Sequence, residues 1–283
     1  MEMPVNFTEP SLKRKQDFDS NKKPLDDDFV AVNETAENVK KEPKLDETRK
    51  KRFPLFITVD IEKAGCELQH PILAIGFCLA SFEDGVIEKK TFCLKPEPWQ
   101  TFEPRCKTEF WAHQEVLLKR IEAEALPAPL QIRNVERYLK EIEERFSSEY
   151  PMLVLLSDNP EFDLGNINHN LYLYAGRRPM RYTSETFSYK YRWVEDPCSR
   201  LQALSFYEIY RDKINNLCVH DHWPENDAEN IFWQQAVAEY ASMLFIENLN
   251  RKQIIEKIDD NIFRPEFSAE QRKEKLLEGI RSK

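Results

Sequence analysis

Two carboxylates at the end of an apolar, β-branched run are the first residues that could do chemistry. The run extends from Phe56 to Glu62 and ends in Asp60-Ile61-Glu62. In a β-strand, side chains two residues apart point to the same face, so Asp60 and Glu62 would lie side by side while the intervening aliphatic residues face a core. Such a pair is typical either of a solvated strand edge or of a site for Mg²⁺ or Mn²⁺, which prefer oxygen ligands.

Two further polar stretches lie where secondary-structure elements are predicted to meet. Ser-Asp-Asn-Pro-Glu-Phe-Asp follows an apolar run and ends at Asp163, and His222 stands five positions before Asp227 at the start of a predicted helix. Taken singly, each residue has an ordinary structural alternative. Asp163 could cap its helix, and Asp227 could be a first-turn acid that the helix dipole stabilises. His222 could be a surface histidine, and His220 is an alternative candidate for its role. Taken together, the stretches predict four carboxylates and an imidazole at one site, which suits metal-assisted hydrolysis.

The elements that must position these residues follow from hydrophobic periodicity and turn signals. Strands are predicted over 56–61, 71–80, 86–94 and 151–157, and the first three form an antiparallel meander. Helices are predicted over 109–125, 130–146, 163–174, 196–210 and 224–249. This order predicts an α/β fold with a mixed sheet flanked by helices, in which sites collect at the carboxyl ends of strands.

The composition of the two ends differs from that of the middle. Residues 1–52 are rich in charged residues and contain three aromatics, so we expect a disordered tail. Its basic clusters, 13–15 and 49–52, are typical of a nuclear address or of a solvated linker. A single domain is predicted over 53–250, and 251–283 is expected to be a charged extension with one or two peripheral helices.

Charge and cysteine usage limit the class of protein. The net charge of −9 over 283 residues argues against a protein that coats nucleic acid by bulk attraction. The six cysteines are scattered and no apolar run is long enough to span a bilayer. We therefore expect reduced thiols, no structural zinc site built on cysteines, no membrane partner, and an intracellular location in the cytoplasm or the nucleus.

The three polar stretches resemble the exonuclease motifs of the DnaQ-like, or DEDDh, 3′–5′ exonucleases over about residues 53–245. The residues that match the three motifs in turn are Asp60 with Glu62, then Asn159 with Phe162 and Asp163, then His222 with Asp227. The resemblance implies the ribonuclease H-like fold and two divalent ions, Mg²⁺ or Mn²⁺, held by the four carboxylates. It also implies that His222 is the general base in hydrolysis of single-stranded DNA or RNA from the 3′ end, which releases nucleoside 5′-monophosphates.

One branch of that family looks closest. Residues 109–114 read Glu-Phe-Trp-Ala-His-Gln and resemble the Glu-Trp-Trp-x-x-Gln segment of the phage exonuclease A branch, to which ribonuclease AS is similar. Core packing is the alternative for one of the two aromatics. Lys63 stands where the family usually has a small residue, so it would either contact a phosphate or turn outward. The residues expected to contact substrate are Ile61, Lys63, Ala64, Phe110, Trp111, Asn159, Phe162 and Trp223.

Partners and alternative functions follow from the same resemblance. Residues 177–194 are basic and aromatic, which suits either single-stranded nucleic acid or an ordinary loop. Members of the family act on DNA or on RNA and are often homodimers. The alternatives are an exoribonuclease specific for RNA 3′ ends and a catalytically inactive binding or scaffold protein with the same fold.

Overall fold

The structure is a computed structural model that describes residues 51–176, 191–195, 201, 206–218 and 220–283. Except for its last two residues, the tail predicted to be disordered lies outside these ranges. Most of the basic aromatic stretch and the predicted start of the helix near residue 196 also lie outside them. In the part of the chain that the structure describes, every helix is too short or too polar to cross a bilayer.

Within the described residues, six strands form a mixed sheet in the spatial order β4-β3-β2-β1-β5-β6. The strands are β1 (Leu55–Lys63), β2 (Ile72–Ser81), β3 (Gly85–Lys95), β4 (Leu126–Pro127), β5 (Leu153–Leu156) and β6 (Tyr191–Glu195). The first three pair antiparallel, whereas β5 lies parallel to β1, β6 parallel to β5, and β4 parallel to the end of β3. The predicted mixed α/β sheet is confirmed, but β6 comes from a stretch predicted as loop. Its aromatic and β-branched residues favour a strand.

Helices cover the sheet and join its strands. Those of the described residues are α1 (Pro104–Glu109), α2 (Glu115–Glu124), α3 (Ala128–Phe146), α4 (Pro160–Ala175), α5 (Tyr207–Asn215), α6 (Pro224–Ile246), α7 (Arg251–Asn261) and α8 (Ala269–Arg281). The single helix predicted over 109–125 is wrong, because a short 3₁₀ turn at 111–113 separates α1 from α2. That turn carries the Trp111 side chain inward, where its indole donates to the Lys63 carbonyl at 2.9 Å.

The two faces of β1 pack against different helices, as the alternation of its side chains predicts. Leu55, Ile57, Val59 and Ile61 share a core with α3 and α4. The opposite face turns toward α6, where the Thr58 hydroxyl donates to the Ala228 carbonyl at 2.6 Å. Asp60 and Glu62 continue this second face, so they point toward the beginning of α6.

The C-terminal helices α7 and α8 contribute to the core on the α6 side of the sheet instead of lying at its periphery. Ile258 and Ile280 are fully buried there. Nearby, the Glu229 carboxylate accepts three hydrogen bonds of 3.0 Å, from Trp233, Lys89 and Lys273. Burial alone would raise the pKa of Glu229, but these donors outweigh it and hold the pKa below its usual value.

Candidate metal centre and adjoining cleft

The first two carboxylates of the site lie on the last residues of β1. Asp60 pairs with Gly76 across the sheet and Glu62 pairs with Ala74. A register shift between Glu62 and Lys63 follows directly. Both carboxylates therefore lie at the carboxyl end of β1, where pairing with β2 fixes their backbone, beyond the point at which pairing with β5 ends at Thr58.

A third carboxylate, Asp227, lies in the first turn of α6 and depends on a close approach between that helix and β2. A Cβ atom added to Gly76 would lie 2.0 Å from the carbonyl carbon of Pro224. Only glycine lets the start of α6 pack this closely against the sheet at position 76. Gly76 is the backbone partner of Asp60 across the sheet. Pro224 suits the first turn because its fixed φ matches the helix.

The fourth carboxylate, Asp163, follows β5 and lies in the first turn of α4. The Ser157 hydroxyl donates a hydrogen bond to Asp163, which is almost fully buried. The helix begins at Pro160, three residues before the predicted start, and the Asn159 side chain accepts a hydrogen bond from the Phe162 amide as its N-cap. Asn159 thus orients the helix that carries Asp163.

The structure brings the four predicted carboxylates into two groups that share one residue. Oxygen atoms of Asp60, Glu62 and Asp227 lie within 4.8 Å of one another, and so do oxygen atoms of Asp60, Asp158 and Asp163. The prediction had not singled out Asp158 as a ligand. Its position directly after an apolar strand, in the stretch that ends at Asp163, was the available signal.

The electrostatics of these groups suit a bound cation. Burial, and then the charges of Asp163, Glu62 and Asp227, raise the pKa of Asp60 well above its usual value. The Oδ2 atom of Asp60 is buried and has no hydrogen-bond partner among the described residues. Since an unpaired buried oxygen is costly, the site fits a divalent ion that would supply the missing partner.

Two further buried acids of these groups, Asp163 and Glu62, have pKa values shifted in the same direction. Burial raises the pKa of Asp163 to about 7, against the opposing effect of the Ser157 hydrogen bond. Burial also raises the pKa of Glu62, although the neighbouring His222 opposes this. Without a cation, the site therefore favours protonated carboxyl groups, and a divalent ion would restore the ionised form.

Two histidines stand over these carboxylates. His222 Nδ1 lies 3.6 Å from Glu62 Oε1 and 3.9 Å from Asp227 Oδ2. The nearby Glu62 carboxylate raises the pKa of His222, and contact with Asp227 raises the pKa of His220. His222 has a φ of 59° in the left-handed region, an uncommon conformation that clusters at functional sites.

A cleft of about 340 Å³ adjoins the carboxylates, and half of the predicted substrate contacts line it. Its walls include Ile61, Lys63, Phe110 and Phe162 of the predicted set, together with Glu62, Gly65, Cys66, Glu103, Arg105, Cys106 and Glu109. The Phe110 ring meets the His222 ring edge to face at 5.1 Å. Sequence reasoning missed Arg105 because α1 was not predicted.

The remaining predicted contacts do not line this cleft. Ala64, Trp111 and Trp223 are buried in one small core, and the two indoles are 1% and 3% exposed. The predicted stacking of Trp223 on a base is therefore wrong, because the Arg120 guanidinium covers its ring at 3.4 Å. Of the two aromatics at 110–111, Phe110 lies in the cleft and Trp111 packs in the core.

Lys63 is held between β1 and α4 instead of turning outward. Its ammonium group donates to the Asn166 side chain and, at 2.8 Å, to the Glu67 carbonyl. Burial lowers the pKa of Lys63 to about 8, because both acceptors are neutral. The ammonium also lies 5.5 Å from the centre of the Phe162 ring, at the wall of the cleft.

Comparisons with known proteins do not assign this site. No model of a known protein family matches the sequence, and no curated protein matches it significantly. The chemistry of the site must therefore be argued from its own residues.

Proposed function

We propose that the chain is a metal-dependent 3′–5′ exonuclease of the DEDDh type with the ribonuclease H-like fold. Its reaction would be hydrolysis of phosphodiester bonds at the 3′ end of single-stranded DNA or RNA, releasing nucleoside 5′-monophosphates. The observation that carries this proposal is the pair of three-carboxylate groups that share Asp60. The sheet supports it too, because three antiparallel strands are followed by parallel ones.

The shared carboxylate explains why the site suits phosphoryl transfer. Asp60, Glu62 and Asp227 would hold one Mg²⁺ or Mn²⁺, and Asp60, Asp158 and Asp163 would hold the other. Two such ions would supply an activated water and a clamp on the scissile phosphate. The protein contributes a rigid frame, because Asp60 and Glu62 lie at the end of a strand and Asp163 and Asp227 lie in the first turn of a helix, while Asp158 lies in the bend between β5 and α4.

His222 is the proposed general base. Its ring lies beside Glu62 and Asp227, the two residues that would hold the first ion, so it can accept a proton from water at that place. The neighbouring carboxylates stabilise the imidazolium that forms, as the direction of its pKa shift indicates. The left-handed backbone of His222 fixes where the ring stands.

The cleft supports a nucleic acid substrate. Phe110 and Phe162 offer aromatic surfaces to a terminal base, and base–aromatic stacking contributes about 1–3 kcal/mol per base without sequence preference. Lys63 and Arg105 are the cations of its wall and suit a phosphate or a ribose hydroxyl. The cleft opens beside Glu62, so a bound 3′ end would bring its last phosphodiester bond to the carboxylates.

A cleavage assay tests the proposal. Single-stranded DNA and RNA of the same sequence, labelled at the 5′ end, are incubated with Mg²⁺, with Mn²⁺ or with chelator. We expect a ladder that shortens from the 3′ end, needs the metal and disappears in Asp60→Asn. The control is Asp212→Asn, which removes a carboxylate that is 82% exposed and belongs to neither carboxylate group.

The two substrates separate the remaining possibilities. Cleavage of RNA alone would identify an exoribonuclease, whereas cleavage of both would indicate that the cleft ignores the 2′-hydroxyl. Binding of either strand without metal-dependent cleavage would overturn the enzymatic proposal and favour a binding protein with this fold.

A further inference from the structure

Two histidines and one carboxylate form a third group of potential metal ligands, beside the two carboxylate groups. The group contains one ligand atom from each of His220, His222 and Asp227, and these three atoms lie within 4.8 Å of one another. His220 Nδ1 is 3.0 Å from Asp227 Oδ1, and His222 Nδ1 is 3.9 Å from Asp227 Oδ2. The centroids of the two imidazole rings are 5.2 Å apart. This group lies at the solvent side of Asp227, since the His220 side chain is 46% exposed.

The donor set of this group differs from that of its neighbours. Oxygen ligands alone suit Mg²⁺ and Mn²⁺, whereas two imidazole nitrogens with one carboxylate suit Zn²⁺. Tetrahedral zinc with bonds of about 2.0–2.2 Å places its ligand atoms about 3.4 Å apart. His220 Nδ1 and His222 Nδ1 lie 3.0 and 3.9 Å from different oxygens of Asp227, so each distance is within about 0.5 Å of that value, and the carboxylate must turn so that one oxygen faces both rings. Small rotations of two half-exposed rings would therefore complete the geometry.

The loop that carries the histidines is held in place by its own hydrogen bonds. Asp221, between the two histidines, accepts hydrogen bonds from the Trp223 amide and from the Asn226 side chain, both at 3.1 Å. His222 follows in the left-handed conformation. The backbone that directs both rings to Asp227 is thus fixed without help from the carboxylates of β1.

We propose that His220, His222 and Asp227 bind Zn²⁺ as an inhibitory site. This inference rests on the proposed exonuclease function, because it concerns the regulation of the same centre. A neutral imidazole has one nitrogen lone pair and one N–H. When the lone pair binds Zn²⁺, the other nitrogen keeps its proton, so His222 can no longer accept a proton from water. Zinc also engages Asp227, which one of the proposed Mg²⁺ ions would need.

His220 separates this site from the catalytic one, because it belongs to neither carboxylate group. The test is a calorimetric titration of the full chain with ZnCl₂ in millimolar Mg²⁺. We expect one Zn²⁺ per chain, and a dissociation constant at least tenfold higher in His220→Gln. Asp60→Asn disrupts both carboxylate groups but keeps the zinc ligands, so it should bind Zn²⁺ at least as tightly as the wild type does, because less Mg²⁺ competes for Asp227. His113→Gln, at an exposed histidine outside the group, is the matched control.

Inhibition provides the second readout. Zinc should stop cleavage by the wild-type protein, and at least tenfold more should be needed to stop His220→Gln, each measured relative to the uninhibited rate of the same variant. Absence of zinc binding by the wild type would overturn the inference, and so would equal affinity in His220→Gln. Failure of the proposed function would appear separately, as no metal-dependent cleavage while the zinc titration still depends on His220.

Discussion

Replacing Gly76 with alanine tests whether the metal centre depends on the close approach of α6 to the sheet. The added Cβ would lie 2.0 Å from the Pro224 carbonyl carbon and 2.3 Å from the Glu225 amide nitrogen, whereas ordinary contact begins at 3.4 Å. Both obstacles are backbone atoms, so no side-chain rotation can relieve the overlap. The start of α6 must move by about 1.4 Å, or the sheet must move by as much.

The displacement would be carried directly to the site. Asp227 lies in the same helical turn as Pro224, and metal–ligand distances tolerate only about 0.2 Å of error. A misplacement of about 1 Å at a catalytic group can reduce the rate by about 10²-fold. For Gly76→Ala we therefore expect at least about a hundredfold loss of cleavage, together with loss of the stabilisation that Mn²⁺ gives the wild type. Overpacking should lower the free energy of unfolding by about 1–3 kcal/mol.

The measurements are initial cleavage rates and urea unfolding with and without Mn²⁺. Circular dichroism shows that the variant is folded before either is interpreted. Gly165→Ala is the matched control, because no atom lies within 4 Å of its added Cβ. It lies inside α4, where alanine is favoured over glycine by about 1 kcal/mol, so this control should be slightly more stable and equally active. If Gly76→Ala kept the wild-type rate and the response to Mn²⁺, the argument from close approach would fail.

Three further predictions concern charge and hydrogen bonding. The pKa of Asp163 is raised to about 7 in the folded protein from 3.8 in the unfolded chain. Between these two pH values the folded state therefore binds more protons than the unfolded state does. In chelator, Asp163 should therefore lower the free energy of unfolding by about 1.4 kcal/mol per pH unit between pH 5 and 6, in addition to falls of the same sign from Asp60 and Glu62, and Asp163→Asn should reduce the total slope in urea titrations. Glu229→Gln should cost about 2–3 kcal/mol in urea unfolding, because it leaves two lysines without their buried partner. Trp111→Phe should cost about 1–3 kcal/mol in the same measurement, since the buried Lys63 carbonyl loses its indole donor.

Each of these predictions has its own control. An unchanged pH slope in Asp163→Asn would show that this residue is not the titrating group. Glu270→Gln removes a carboxylate from the same Lys273, but that carboxylate is 82% exposed, so a cost equal to that of Glu229→Gln would contradict the role of burial. Trp99 is 62% exposed, and Trp99→Phe should be nearly neutral. A similar loss at both tryptophans would refute the hydrogen-bond argument.

Much of the fold could be predicted because it follows from local patterns of apolar and polar residues in the sequence. Side-chain alternation in β1 correctly gave the two faces of the strand, and the 3.6-residue period of α3 matches its buried side. What escaped prediction depends on distant contacts. The break between α1 and α2 exists because the Trp111 indole donates a hydrogen bond to the Lys63 carbonyl, 48 residues away in sequence. The C-terminal helices join the core through apolar stripes that pack against α6. Prediction missed this packing because most of the other residues of these helices are charged.

The same distinction between local patterns and distant contacts separates the site residues that were predicted from those that were not. The four carboxylates of the predicted set converge because each lies at the end of an element, a position that the sequence does reveal. Asp158 was missed because a ligand beside a turn looks like any other turn residue. Trp223 was misassigned because exposure was assumed, whereas its ring is covered by Arg120 from a helix that the sequence places a hundred residues earlier.

The contrast between Asp60 and Glu229 explains why we propose that the carboxylate cluster could hold a metal ion, whereas Glu229 belongs to a salt-bridge network. Both side chains face α6 or belong to it, and both lose hydration. Glu229 accepts three hydrogen bonds, two of them from lysines, and its pKa lies below the usual value. Asp60 has other carboxylates as its charged neighbours, one oxygen without a described donor, and a pKa well above the usual value. The chain thus balances a buried charge with lysines where stability requires it, and at Asp60 it leaves a negative potential that a divalent cation would neutralise.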